Sequence, residues 1–288
     1  MHSLANTRDT LSREAAPFIS GSGEQWFLQA LKTLVTSTQV VEDLGLFSAI
    51  AKRKLGKEKL TISPAIDTQF SPLDIRHWSV SDIARLILLM TVILEKSAQT
   101  ETLIRTYYRI GDESERIALI RGLIFFAPAS YLTEIALDVG RTNNLEVLAA
   151  LSLDNPYPCC FYSEAEFNQM VLKALFLGLA IERIAGLEQR ANTDLTRMCE
   201  NYVVEREEAN RSVPVDIWLA IGPFASETGQ QQMLKYLDHE DIGHRYYCTQ
   251  SLIQRLSQDP SLLSVLKQRL DIEQEPRILQ MLQDNLTA

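Results

Sequence analysis

The sequence predicts an all-α protein, an irregular α-solenoid or HEAT-like stack of antiparallel helix pairs. Three observations carry that prediction. Apolar residues recur at the three- and four-residue spacing of a helix face, and few stretches alternate apolar with polar. Helix start and stop signals follow one another closely along most of the chain. The helices they mark are short and meet at tight corners, yet no fixed repeat length emerges, so the stack is irregular.

In order, "EQWFLQALKTLV" sets Trp26, Phe27, Ala30, Leu31 and Leu34 on one face. A second helix spans about Val40 to Lys54 and stops at Gly56, with Lys52, Arg53 and Lys54 near the negative end of its dipole. Residues 57–78 read as a connection packed by Phe70, Ile75 and Trp78. Ser79 with Asp82 opens the next helix as a capping box. Its run "IARLILLMTVIL" is too short to span a bilayer and contains Arg85, so it reads as a buried core helix.

Gly111 ends "ETLIRTYYRI", and Asp112 with Glu115 starts another helix at once. Pro128 reads as a first-turn proline of "PASYLTEIALDVG", which stops at Gly140. After "NNLEVLAALSL" comes Asp154-Asn155-Pro156-Tyr157-Pro158, which must be extended or turned, because a residue before proline is pushed out of the helical region. Ser163 and Glu166 restart the helix. Beyond Gly178 follow a short turn, "NTDLTRMCENYVVEREEANR" and Pro214 opening "PVDIWLAIGPF". Plain helix pairs complete the chain. The expected organisation is N-terminal helices 1–56, connection 57–78, a central region 79–225 and C-terminal pairs 226–288, within one continuous domain.

The net charge of −9 over 288 residues disfavours a general binder of nucleic acid or anionic membrane, because neutralising phosphates needs a basic face. The N-terminus lacks a basic segment followed by an apolar one, so the expectation is a cytoplasmic protein without a secretory signal. Cys159, Cys160, Cys199 and Cys248 have no metal-ligand spacing and read as small core residues. His239 and His244, five apart, are placed on different helix faces and make a poor metal pair. No phosphate loop or nucleophile elbow occurs, and no metal or cofactor is expected.

What remains is a crowd of polar residues at helix corners. Arg141, Asn143, Asn155 and Tyr157 flank the proline-rich corner, and Asn168, Gln169 and Lys173 follow on the next helix. Asp112, Glu115, Arg116, Arg190, Glu205, Arg206 and Arg211 form a secondary group. Two readings fit them: a shared concave site gripping a carboxylate, phosphate or polar ring substituent, or caps and ion pairs that hold successive helices in register. Glu207 and Arg211 are spaced for a helical ion pair.

Several phrases are long and unusual: Gly140-Arg141-Thr142-Asn143, Asp154 to Pro158, and Asn168-Gln169-Met170-Val171-Leu172-Lys173. With them, the stretch from about residue 80 to about 225 resembles the EboA family of metabolite-traffic proteins. The first 60 residues and the C-terminal helices add little to the likeness. Small residues often follow the Asn-Pro-Tyr-Pro phrase in that family, where this chain has Cys159 and Cys160, which argues against a thiol role.

The resemblance implies products of a conserved bacterial gene cluster that also supplies a membrane prenyltransferase-like protein and sugar-phosphate or hydrolase-like enzymes. That cluster is linked to moving secondary-metabolite precursors, including the scytonemin monomer, toward the periplasm. It transfers no catalytic residue and no cofactor. The expected function is therefore non-catalytic binding of a small molecule or partner protein. The alternatives are an enzyme acting on a prenylated or sugar-like precursor through Asp112, Glu115 or Glu205, and a peripheral adaptor docking on the prenyltransferase-like protein.

Overall fold

The computed structural model describes residues 3–60 and 65–286. Thr61 to Pro64 of the expected connection lie outside the described residues. Among the described residues the structure is all-helical, with eighteen α-helices, no strand, and two isolated bridges at Lys59–Ser79 and Ile66–Leu73. No helix among them is long and apolar enough to cross a membrane. The chain divides into two compact units, Met1–Tyr162 and Ser163–Ala288, a division that falls inside the region 79–225.

The first unit holds α1 (Leu4–Ala15), α2 (Gly21–Thr36), α3 (Val40–Leu55), α4 (Val80–Glu95) and α5 (Thr100–Ile110). It continues with α6 (Glu113–Arg121), α7 (Leu123–Phe126), α8 (Ser130–Gly140), α9 (Leu145–Ser152) and α10 (Tyr157–Phe161). Its centre is α4, buried without a break from Val80 to Ile93 because α1, α2, α3 and α6 pack around it. A helix apolar all round needs such a coat. Gly122, between α6 and α7, lets that corner approach closely: a Cβ there would sit 2.5 Å from Leu86.

The most deeply buried charged residue of this core is Arg85. Arg85 is 2% exposed; its Nε donates to the Ser48 carbonyl at 3.1 Å and its Nη1 faces Asp82 at 3.5 Å. Asp82 closes the α4 capping box with Ser79 and also accepts from Arg121 Nη1 at 2.7 Å. The Ser48 hydroxyl meets the Tyr107 phenol at 2.6 Å. Side chains from α3, α4, α5 and α6 thus meet at one buried polar node.

Elsewhere the expected elements form with local differences. Ile75 and Trp78 are buried, whereas Phe70 is 37% exposed and instead meets Phe161 edge-on. Pro128 precedes α8 rather than starting it, with Ala129 at the cap. In the proline-rich corner only Asp154 and Asn155 make the turn, with Asp154 at φ 53°. Pro156 caps α10 with helical backbone angles and Pro158 lies in the first turn of α10, where a missing N–H costs nothing.

The second unit holds α11 (Glu164–Phe176), α12 (Leu187–Arg190), α13 (Thr193–Glu208), α14 (Trp218–Ile221) and α15 (Glu227–Tyr236). Then come α16 (Ile242–Gln254), α17 (Leu262–Ile272) and α18 (Pro276–Leu286), with α15 on α16, α16 on α17 and α17 on α18. Pro214 does not open a helix, since α14 starts only at Trp218. This single turn survives because neighbouring helices answer its end. Thr196 donates to the Ala220 carbonyl, Ser251 to that of Trp218, and Arg255 to that of Gly222. Asn210 at φ 51° follows the end of α13, so Glu207 and Arg211 lose helical spacing; Glu207 pairs with Lys235 and Tyr236 instead.

His239 and His244 are not on opposed faces of one helix. His239 lies in the turn before α16, and the two rings meet with centroids 4.6 Å apart. No group of three His, Cys, Asp or Glu able to hold a metal occurs among the described residues. Trp218 Nε1 donates to His244 Nδ1 at 2.9 Å, and burial pushes the His244 imidazole down to about 4.

The buried node and His244 can both be tested. Asp82→Ala should destabilise the protein by about 3–5 kcal/mol in denaturant titration, because it strands a buried guanidinium. Arg85→Met should cost far less or even stabilise; equal losses in the two variants would refute the node's ionic character. A histidine held neutral in the fold binds its proton only when unfolded. His244 stability is therefore full above pH 6.5 and lost as pH falls toward 4, by up to about 3 kcal/mol, and an imidazole titrating near 6.5 in NMR would contradict it.

Candidate functional site

On the first unit a groove runs along α5, α6, α8 and the start of α9. It comprises two cavities of about 630 and 370 Å³ that share Tyr108, Arg116 and Asp138. The wall from α5 follows from its sequence. Leu103, Ile104 and Tyr107 turn inward, which leaves Arg105, Tyr108 and Arg109 together on the other face. On α8, Ile135 and Val139 are buried while Glu134 and Asp138, four apart, face the groove.

Arg116 fixes the middle. From the first turns of α6 it reaches back to the end of α5, donating Nε to the Tyr108 carbonyl at 3.0 Å and Nη2 to that of Arg109 at 3.2 Å. Those last-turn carbonyls lack helical partners, and a cation there also suits the dipole. Its guanidinium lies 5.5 Å over the Tyr108 ring. The Tyr108 hydroxyl donates to Asp138 at 2.8 Å; burial, then that carboxylate, push the phenol up to about 12. Arg105 bridges Glu101 at 2.7 Å and Glu134 at 2.6 Å. At the far end, Asn144 caps α9 and donates to Glu113 at 2.7 Å.

Four guanidiniums, Arg105, Arg109, Arg116 and Arg141, therefore line the groove against three carboxylates, Glu113, Glu134 and Asp138. The side chains of Arg109 and Arg141 are exposed and make no ion pair with the described residues. Such a surface can hold an anion or a ring bearing acceptors.

Of the residues expected from sequence, the groove brings together Arg116 and Arg141. Asn143 is exposed beside it, while its neighbour Asn144 forms the lining. Asp112 and Glu115 close the capping box of α6. Asn155 and Tyr157 are buried in the corner. Asn155 Nδ2 donates to the carbonyls of Ile120 and Ala150, its oxygen accepts from the Tyr157 N–H, and the Tyr157 hydroxyl meets Thr133. This amide holds the end of α6 against the end of α9, so its polar groups are fully engaged within the fold.

In the second unit Asn168 is buried and pairs reciprocally with Asn192, at 3.1 and 3.0 Å, and Asn192 in turn caps α13. Gln169 is exposed and Lys173 half-buried on the same helix. Arg190 lies 4.8 Å over the Phe167 ring. Arg206 donates to the Ser212 carbonyl at 2.8 Å and joins Asp216 in a separate cavity of about 400 Å³, while Glu205 and Arg211 are exposed.

Sequence reasoning missed Arg105, Tyr108, Arg109, Glu134 and Asp138 as groove residues. A signal was there: Arg105, Tyr108 and Arg109 at i, i+3 and i+4 share one face, as do Glu134 and Asp138 four apart. The corner itself is testable. Asn155→Ala should cost about 2–3 kcal/mol in chemical denaturation by leaving two buried carbonyls and an N–H unanswered, and a loss below about 0.5 kcal/mol would show the bonds to be dispensable.

Known proteins supply the remaining constraint. The family described as metabolite traffic protein EboA matches residues 8–222. The match begins within α1, so the N-terminal helices belong to it as well, although their ordinary amphipathic sequence carries no unusual phrase. It ends at the short helical stretch after α14, before α15 to α18. No curated protein and no solved structure matches the chain. Because that one family accounts for most of the length, from the first helix of the first unit well into the second, the chain belongs to the EboA family of metabolite traffic proteins.

Proposed function

We propose that this protein binds, without turning over, a small metabolite that presents an anionic or hydrogen-bond-accepting group to the arginine groove. One observation carries the reading. A chain of net charge −9 gathers four guanidiniums in one groove, and three of them, Arg109, Arg116 and Arg141, form no ion pair among the described residues. Arg116 and Tyr108 are held in place by bonds within the fold, so the groove needs little reordering to receive a ligand.

The family supports a role in metabolite traffic, and we take the cargo to be a secondary-metabolite precursor bound for the periplasm, collected on the cytoplasmic side. Asn143, Gln169 and Lys173 are proposed as further contacts for this cargo or for a partner encoded in the same gene cluster, the membrane prenyltransferase-like protein included. The succession of α15 on α16, α16 on α17 and α17 on α18 supports a HEAT-like arrangement of antiparallel pairs in that part of the chain. Binding is favoured over catalysis because Asp112 and Glu115 share a helix cap and do not line the groove, and Glu205 is an exposed residue of α13.

Phenyl phosphate is a suitable probe. In NMR titration it should shift the amides of Tyr108, Asp138 and Thr142, and binding should weaken as salt is raised. Arg109→Ala combined with Arg141→Ala should reduce its affinity tenfold or more while changing stability by less than about 0.5 kcal/mol per site. Unchanged affinity in that folded variant would remove the groove from the proposal.

A further inference from the structure

A third cavity, of about 250 Å³, opens in the first unit between α3 and α5. Val41, Leu44 and Gly45 of α3 and Leu103 and Tyr107 of α5 line it, with Glu115 of α6. It is mostly apolar, and at the volume of liquid water it would hold about eight molecules, so its occupant is small.

Two features of its lining are left unexplained by packing. The first is Glu115, only 5% exposed. One carboxylate oxygen accepts the Asp112 N–H at 2.8 Å in the capping box, while the other accepts no hydrogen bond from the described residues. The Tyr107 hydroxyl does not answer it, being engaged with Ser48 at 2.6 Å. Water reaches that oxygen, which is not one of the fully buried polar atoms left without a partner, so a donor entering the cavity can take the water's place.

The second is Gly45, in the middle of α3. Glycine weakens a helix interior relative to alanine. No close contact demands it here, since a Cβ at this position would meet nothing within 4 Å. What its missing side chain preserves is open volume in the cavity.

We propose that this cavity binds a small, largely apolar primary amine whose ammonium group completes the free Glu115 oxygen. The site is separate from the arginine groove and does not rest on that reading. Eight non-hydrogen atoms are about the capacity, so benzylamine is the probe and toluene its uncharged counterpart. In NMR titration of the full chain, benzylamine should shift the amides of Gly45, Leu103 and Glu115 and bind at least tenfold more tightly than toluene. Glu115→Gln keeps an oxygen for the Asp112 N–H and should lose benzylamine affinity tenfold or more while leaving that of toluene unchanged.

Gly45→Val should abolish both titrations with its melting temperature held or raised; if it fails to fold, Gly45→Ala is read instead and should weaken both. The Arg109→Ala, Arg141→Ala variant should bind benzylamine normally, which separates this site from the groove. The proposal fails if benzylamine binds no better than toluene, if Glu115→Gln leaves its affinity intact, or if the folded Gly45 variant binds as before.

Discussion

The first unit depends on one buried ionic contact, Arg85 with Asp82, set into its most apolar helix. Burying a guanidinium is unfavourable unless its charge and donors are answered. Here the answers come from several elements: Asp82 on α4 itself, the Ser48 carbonyl on α3, and Arg121 of α6 on the other side of Asp82. Apolar packing alone would let α1, α2, α3 and α6 slide around α4, since hydrophobic contact has no direction. The node adds direction, holding α3 and α6 at defined levels along α4. Through Ser48 and Tyr107 it extends to α5, the helix whose opposite face forms the groove.

A related constraint acts at the helix ends. A chain of many short helices has many terminal N–H and C=O groups, and a corner packed away from water must satisfy them. Most of the polar residues crowded at the corners meet that demand. Asn155 serves the carbonyls of Ile120 and Ala150, Arg116 those of Tyr108 and Arg109, and three side chains serve the single turn α14. Asn192 does the same work in the second unit, capping α13 and donating to the Arg190 carbonyl, while Asn168 pairs with its side chain. Arg116 shows how one residue can be both fastening and lining. Its donors hold the end of α5, and the face of its guanidinium covers Tyr108 inside the groove.

Legibility from sequence tracked the range of the interaction. Ser79 with Asp82, Asp112 with Glu115 and Ser163 with Glu166 form the capping boxes their spacing announces, because both partners lie within one helical turn. The core role of the run from Ile83 is legible too, as apolar residues on every side, interrupted only by Arg85 and Thr91, leave the helix no solvent face. Pairings that assumed an unbroken helix were not. Glu207 and Arg211 part company because Asn210 adopts a left-handed conformation, and His239 meets His244 only because it stands outside the helix. Among the polar residues, Arg116 and Arg141 could be singled out, but nothing local distinguishes a guanidinium that fastens a helix end from one that lines a groove.

By itself the sequence determined the all-helical class, the main helix starts, the buried status of α4 and the family phrases of the central region. Each of these is encoded within a few neighbouring residues by periodicity, caps or unusual wording. Tertiary structure decided which faces meet. Arg105, Tyr108 and Arg109 become a groove wall only when α8 brings Glu134 and Asp138 opposite them, and Gly45 becomes a space only when α5 closes over α3. Such juxtapositions arise from the packing of elements distant in sequence, which local residue patterns do not encode.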